Sequence, residues 1–265
     1  MDEVARYNRA RWKALAGANA LFTRPKMDLD DDSARRLIDP NDQFGDLSGR
    51  EVLCLASGGG QQSAAFALLG ARVTVFDLSA EQLERDALVA ERYGFDLEIA
   101  EGDMRDLSRF REASFDIVHH AYSINFVPDA REVFRQVARV LREGGIYQFQ
   151  CANPFTVGVG QSDWNGAGYV LKRPYRAGEK IDSADQQWVF DRENCDPVPN
   201  PVEYRHTLSD LLNGLIGEGF VIAGVSDDSD MFPDEESEPG SWDHFVAFAP
   251  PWLCIRTVYR PDLKI

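Results

Sequence analysis

Between residues 51 and 151, short runs of apolar and β-branched residues alternate with segments whose apolar positions recur every three to four residues. Residues 51–56 (EVLCLA) predict a buried strand; 72–77 (RVTVFD), 96–100, 115–120 and 146–151 predict four more. Ala64, Ala65, Ala67 and Leu68 give a small packing face to a first intervening helix. Ser79-x-x-Gln82 reads as a capping box opening a second, with Leu83, Ala87 and Ala90 as its stripe and Gly94 as its stop. Val133, Phe134, Val137, Val140 and Leu141 predict a third helix over 129–142, ended by Gly144 and Gly145. Strands and helices alternating at this spacing predict the α/β class, with βαβ units and a doubly wound, mostly parallel sheet.

The rhythm breaks after Phe155. Residues from about 154 to 205 are rich in Gly, Pro, Tyr and Trp and lack a period, too long a stretch for a bare loop, so they predict a cover insertion after strand five. Regularity returns with Thr207 as the cap of a helix carrying Leu208, Leu211, Leu212 and Leu215, then Gly219 and strands over 220–225 and 253–259. Residues 1–48 form a helical prefix (3–17 and 31–38), and 49–265 form the main domain. Prefix and insertion are both expected to close over the carboxyl edge of the sheet, bringing Tyr7, Trp12, Trp164, Tyr169, Tyr175, Trp188 and Tyr204.

Charge narrows the partners. Lys and Arg total 28 against 44 Asp and Glu, a net charge of -16, which disfavours nucleic acid as a partner. The acidic runs at 28–32 and 227–238 read as solvated loops. No apolar run approaches the roughly 18–20 residues of a membrane span, and residues 1–15 lack the apolar stretch of a secretion signal, so no membrane partner is expected. Cys54, Cys151, Cys195 and Cys254 are too dispersed for a zinc site and fit a reduced, cytoplasmic compartment. His119 and His120, adjacent on a strand, point to opposite faces and do not share a metal. No metal is expected.

Ligands of such sheets gather at the carboxyl ends of the strands. Three segments arrive there. Ala56-Ser57-Gly58-Gly59-Gly60-Gln61-Gln62-Ser63 is a glycine-rich turn leading into a helix whose N–H groups are unpaired by the helix itself. Asp77 ends strand two, where a carboxylate accepts from ribose hydroxyls. Gly102-Asp103-Met104 follows strand three, where an acid reaches an adenine amine and a methionine covers the ring.

The strings VLCLASGGGQQS, VTVFDLS, EGDM, FDIVHHAYSINFVPDA and LREGGIYQF, in this order, resemble the motifs of class I S-adenosylmethionine-dependent methyltransferases, most closely the small-molecule type 11 branch. The resemblance covers roughly residues 50–152, and the layout of 206–260 is similar. It implies a Rossmann-like, seven-stranded sheet with the last strand inserted antiparallel, S-adenosyl-L-methionine as cofactor, and a small-molecule acceptor. It places Ala56, Ser57, Gly58 and Gly60 at the methionine part, Asp77 with Leu78 at the ribose, Gly102, Asp103 and Met104 at the adenine, and His120, Ala121 and Tyr122 near the sulfonium. Three residues depart from the family pattern: Cys54 stands for the usual acid and Ala56 for the usual glycine, with Gln61, Gln62 or Ser63 as substitutes at the amino-acid end, and Asn125 stands where relatives often have His.

Methyl transfer from a sulfonium is an in-line displacement served by alignment and exclusion of water. An acceptor that must lose a proton needs a base; His120 and Tyr122 are the first candidates, and Tyr204, His206 and His244 stand behind them. Two alternatives use the same fold: a binding protein without turnover, and a nicotinamide dehydrogenase. The latter's G-x-G-x-x-G would need a glycine where Ser63 stands.

Overall fold

The computed structural model describes residues 1–182, 196–227 and 232–264. Trp188, Cys195 and part of the second acidic run, from Asp228 to Asp230, lie outside them. The prefix contains α1 (Glu3–Gly17) and α2 (Asp31–Ile38). The first acidic run is less a solvated loop than a helix start: Asp30 caps α2 through the Ser33 N–H, and Asp31 and Asp32 occupy its first turn.

The main domain then runs β1 (Glu51–Leu55), α3 (Gln62–Leu68), β2 (Arg72–Asp77), α4 (Ala80–Tyr93), β3 (Glu98–Glu101), β4 (Phe115–His120), α5 (Ala130–Val140) and β5 (Leu141–Ala152). The insertion contributes β6 (Lys180–Asp182) and β7 (Val202–Tyr204), paired with each other as a small antiparallel ribbon. The chain closes with α6 (Leu208–Gly217), β8 (Phe220–Ser226), α7 (Trp242–Phe248) and β9 (Trp252–Tyr259).

The large sheet has seven strands in the order β3-β2-β1-β4-β5-β9-β8. The first five are parallel, and β9 enters antiparallel between β5 and β8, as expected. The alternation along β1 divides the core. Leu53 and Leu55 face the cluster built on α5 and α6, whereas Val52 and Cys54 face Ala34, Ile38, Phe44 and Phe66 on the side of α2 and α3.

Three expectations need correction, the first being the packing stripe of α4, where Ala87 is exposed and Asp86 and Val89 are buried with Leu83. The helix expected to reach Arg142 ends at Val140, because Leu141 adopts extended backbone and already pairs with Phe115; the ladder then shifts register, and Gly144 (φ +78°) turns within the strand rather than ending a helix. The capping box at α4 is half formed: Ser79 accepts from the Gln82 N–H, but the Gln82 side chain turns away to the carbonyl of Gly58. Among the described residues no helix is long and apolar enough to cross a membrane.

Candidate active site

At the carboxyl edge of β1, β2 and β4 lies a cavity of about 1310 Å³. Its floor is the glycine turn, with Ala56, Ser57, Gly58, Gln61 and Gln62 exposed to it; Asp77 and Leu78 follow from β2, and Gly102, Asp103 and Met104 from the loop after β3. Ala121 and Tyr122 come from the end of β4. Most of the residues singled out by sequence therefore meet on one wall.

The turn is held by two carboxylates. Asp77 accepts from the N–H of Gly58 (2.9 Å) and of Ser79 (2.8 Å); burial pushes its carboxyl up, and those N–H bonds oppose the shift. Asp86, fully buried on α4, accepts from the N–H of Gly59 (2.9 Å) and Gly60 (3.1 Å) and from the Ser63 hydroxyl. Burial pushes the Asp86 carboxyl up to about 7, with its hydrogen bonds opposing and the Asp77 charge adding to the rise. The N–H groups of Gly58, Gly59 and Gly60 are thus engaged by the protein.

Gly60 is not on the cavity wall. Its backbone is left-handed (φ +70°), and a Cβ there would lie 2.7 Å from the Arg85 carbonyl and 2.9 Å from Val89. Its role is to let the turn approach α4 closely. Gly60→Ala is expected to destabilise the protein by about 2–4 kcal/mol, combining backbone strain with overpacking against a carbonyl; chemical denaturation would measure it, and an unchanged midpoint would show that α4 yields. Ala56 also holds a left-handed φ of +46°, so the expected glycine's conformation survives its replacement at a cost of roughly 1–2 kcal/mol.

His120 also lies off the wall. Its ring is 1% exposed, with Nδ1 2.9 Å from the Tyr147 hydroxyl and Nε2 2.6 Å from that of Ser123, and burial lowers its pKa to about 3. A ring so enclosed is a poor base near neutrality, which removes His120 from the candidates. His119 faces the other side of the sheet, edge-on to Phe66. His206 binds the Ile124 carbonyl, His244 meets the Tyr169 hydroxyl, and neither these nor Tyr204 lines the cavity. Among the described residues no group of three His, Cys, Asp or Glu is arranged for a metal ion.

Tyr122 does line it, and donates to Glu203 Oε2 at 3.0 Å. Burial and the neighbouring Glu203 push the phenol well up, so Tyr122 stays protonated and acts as a donor. Glu203, on β7, was missed by the sequence reading: it lies in an aperiodic stretch and reaches the cavity only because β6 and β7 fold back. Burial raises its carboxyl, and the Tyr122 hydrogen bond and Arg11 counter that. Arg11 of α1, 2% exposed, lines the same space beside the Trp12 and Phe126 rings.

Prefix and insertion both wall the cavity. Trp12 and Trp164 take part, whereas Tyr7, Tyr169, Tyr175 and Tyr204 do not. A third element, residues 238–242 with Trp252, was not anticipated; the Trp242 and Trp252 rings meet there at a tilt, their centroids 5.7 Å apart. Helix α1 is fastened by Asn8 to the Phe126 carbonyl, by Arg85 to the Ala16 carbonyl, and by Arg105, which grips both Asp103 and Asp2.

Known proteins resemble this chain in sequence and in fold. Residues 53–149 match the methyltransferase-domain family. The uncharacterized methyltransferase YbaJ of Bacillus subtilis (strain 168) is 34% identical over 73% of this chain and 74% of its own. A ubiquinone biosynthesis O-methyltransferase of Xanthomonas oryzae is 30% identical over 55% of this chain and 57% of its own. The fold is that of an S-adenosylmethionine-dependent methyltransferase from Mesorhizobium loti, with a TM-score of 0.61 at 20% identity, covering 88% of this chain and all of the other. With strand order, glycine turn and sequence in agreement, the chain belongs to the class I S-adenosylmethionine-dependent methyltransferases and is an enzyme of that family.

Proposed function

We propose that the protein transfers the methyl group of S-adenosylmethionine to a small organic acceptor held in the same cavity. Ala56, Ser57, Gly58, Gln61 and Gln62 lie at the methionine end, Asp77 and Leu78 at the ribose, Gly102, Asp103 and Met104 at the adenine, and Ala121 and Tyr122 beside the acceptor. S-adenosylmethionine supplies an already activated methyl group when bound.

The residues present suit that group. A Cβ at Gly58 would stand 2.8 Å from Gln82 Cβ and 3.0 Å from Asp77 Cβ, so bare backbone forms the floor beside the Asp77 carboxylate. At about 1310 Å³ the cavity exceeds the roughly 300–1,000 Å³ of single-ligand pockets, leaving room for cofactor and acceptor together. The observation that carries the choice of cofactor is the engagement of the three turn N–H groups by Asp77 and Asp86. A dinucleotide's pyrophosphate is received by such N–H groups. Here they are occupied, and two acidic groups lie behind them, an environment that favours the cationic amino group of the methionine end over a phosphate.

On the acceptor side Trp164, Trp242 and Trp252 provide apolar surface that excludes water. Tyr122 and Arg11 orient and polarise Glu203, which replaces His120 as the group able to take a proton from an acceptor. The relative named for O-methylation in ubiquinone biosynthesis supports a small molecule as acceptor. Isothermal titration tests the cofactor: S-adenosylhomocysteine is expected to bind and NAD(P) not to, and the reverse result would overturn the reading.

A further inference from the structure

Helix α4 buries four residues along one stripe, Gln82, Leu83, Asp86 and Val89. At the third of these a carboxylate stands where the helical period calls for an apolar side chain, with 0% exposure. Taking a carboxylate out of water costs several kcal/mol unless its oxygens are satisfied. Both are: Oδ2 accepts from the Gly59 N–H, and Oδ1 from the Gly60 N–H and the Ser63 hydroxyl. Charge-assisted bonds of this kind are about twice as strong as neutral ones.

The segment these bonds hold lies between the end of β1 at Leu55 and the start of α3 at Gln62, outside strand ladder and helix alike. Gly59 (φ +129°) and Gly60 (φ +70°) have conformations that glycine permits but does not enforce. Something outside the segment must select them. Asp77 reaches only Gly58; Asp86 reaches the next two. On the strand side, Cys54 is fully buried on β1, and burial, with the Asp86 charge adding to it, keeps its thiol neutral. The strand therefore brings no charge to the turn, and the helix brings one.

We propose that Asp86 is the positioning residue of the cofactor turn: a carboxylate supplied from α4 that fixes Gly59 and Gly60, and through them the floor against which S-adenosylmethionine binds. This rests on the cofactor assignment above. Asp86 does not touch the cavity and acts only through the turn.

The experiment is S-adenosylhomocysteine titration on the full chain, with circular dichroism to confirm folding. Asp86→Ala is expected to weaken binding at least tenfold. Asp86→Asn should weaken it comparably, because an amide NH2 replaces one acceptor with a donor facing a backbone N–H. The distinguishing variant moves the acid back to the strand: Cys54→Asp combined with Asp86→Ala should recover affinity to within about threefold of the parent, whereas Cys54→Asp alone should not improve it, since two buried carboxylates would then compete for the same donors. A merely structural loss at Asp86 would not be rescued from β1. Folded Asp86 variants that bind like the parent overturn the proposal. If both single variants fail to fold, the double variant decides: folded and binding supports the proposal, unfolded or non-binding overturns it. A parent that binds no S-adenosylhomocysteine overturns the cofactor assignment itself, and this proposal with it.

Discussion

Asp77→Ala is expected to weaken S-adenosylhomocysteine binding by about 2–3 kcal/mol, roughly a 30- to 150-fold rise in Kd, while the protein still folds. The size follows from removing an acceptor that is both charged and sheltered. The side chain ends β2 at the cavity wall, and its burial-raised carboxyl is kept in place by the N–H groups of Gly58 and Ser79. Removal would take away the proposed ribose contact and also free one corner of the turn. The fold survives because Asp77 is only half-buried and the freed Gly58 N–H lies at the cavity, where water replaces the carboxylate. Titration measures the effect directly. Parent-like affinity would mean that Asp77 serves only as the support of the α4 start.

The second large effect is on stability in acid. Burial lowers the pKa of His120 to about 3 and of His119 to about 4, below the 6.5 of a free histidine. The unfolded chain therefore binds protons that the folded chain refuses once the pH falls below about 6.5. Stability from this source is complete above that value and is lost progressively down to the folded pKa, at about 1.4 kcal/mol per pH unit per residue. At pH 5 the cost is about 2 kcal/mol for each histidine. Other buried groups titrate in the opposite sense: Asp86, raised to about 7, gains stability for the folded state as the pH falls through 7. Comparing variants separates them. Between pH 7.5 and pH 5, the stability advantage of the parent over His120→Gln should shrink by about 2 kcal/mol, whereas relative to Asp86→Asn the parent should gain. Urea midpoints at the two pH values give both signs; a constant gap for His120→Gln would show that the ring protonates in the folded state.

Much of the fold was legible because five strands and their helices are encoded locally, by runs such as 72–77 and by caps such as Ser79 and Thr207. The cavity wall was legible for a related reason: Ala56, Ser57, Gly58, Asp77 and Asp103 sit at or just past strand ends, where sequence position fixes spatial position. Glu203 was not, because β6 and β7 pair across an insertion without periodicity and nothing near residue 203 announces where it will land. Asp86 left a signal that went unread, an acid on the apolar stripe with Leu83. His120 misled because a strand-end position places its backbone near the site, while the pleat directs its ring to Tyr147 on the far side. The helix running past Val140 was overextended because Leu141 is apolar in either element, and only the pairing with Phe115 decides.

Ion pairs fasten the first helix along the rim: Arg105 to Asp2, Arg9 to Glu101 and Lys13 to Glu81. Arg9, Glu101, Lys13 and Asp2 are all substantially open to solvent, and attraction between such groups is screened over about 8–10 Å at ordinary salt. The apolar core beneath has no such sensitivity. Ionic strength therefore acts selectively on this protein: added salt weakens these rim pairs more than it weakens the buried contacts beneath them.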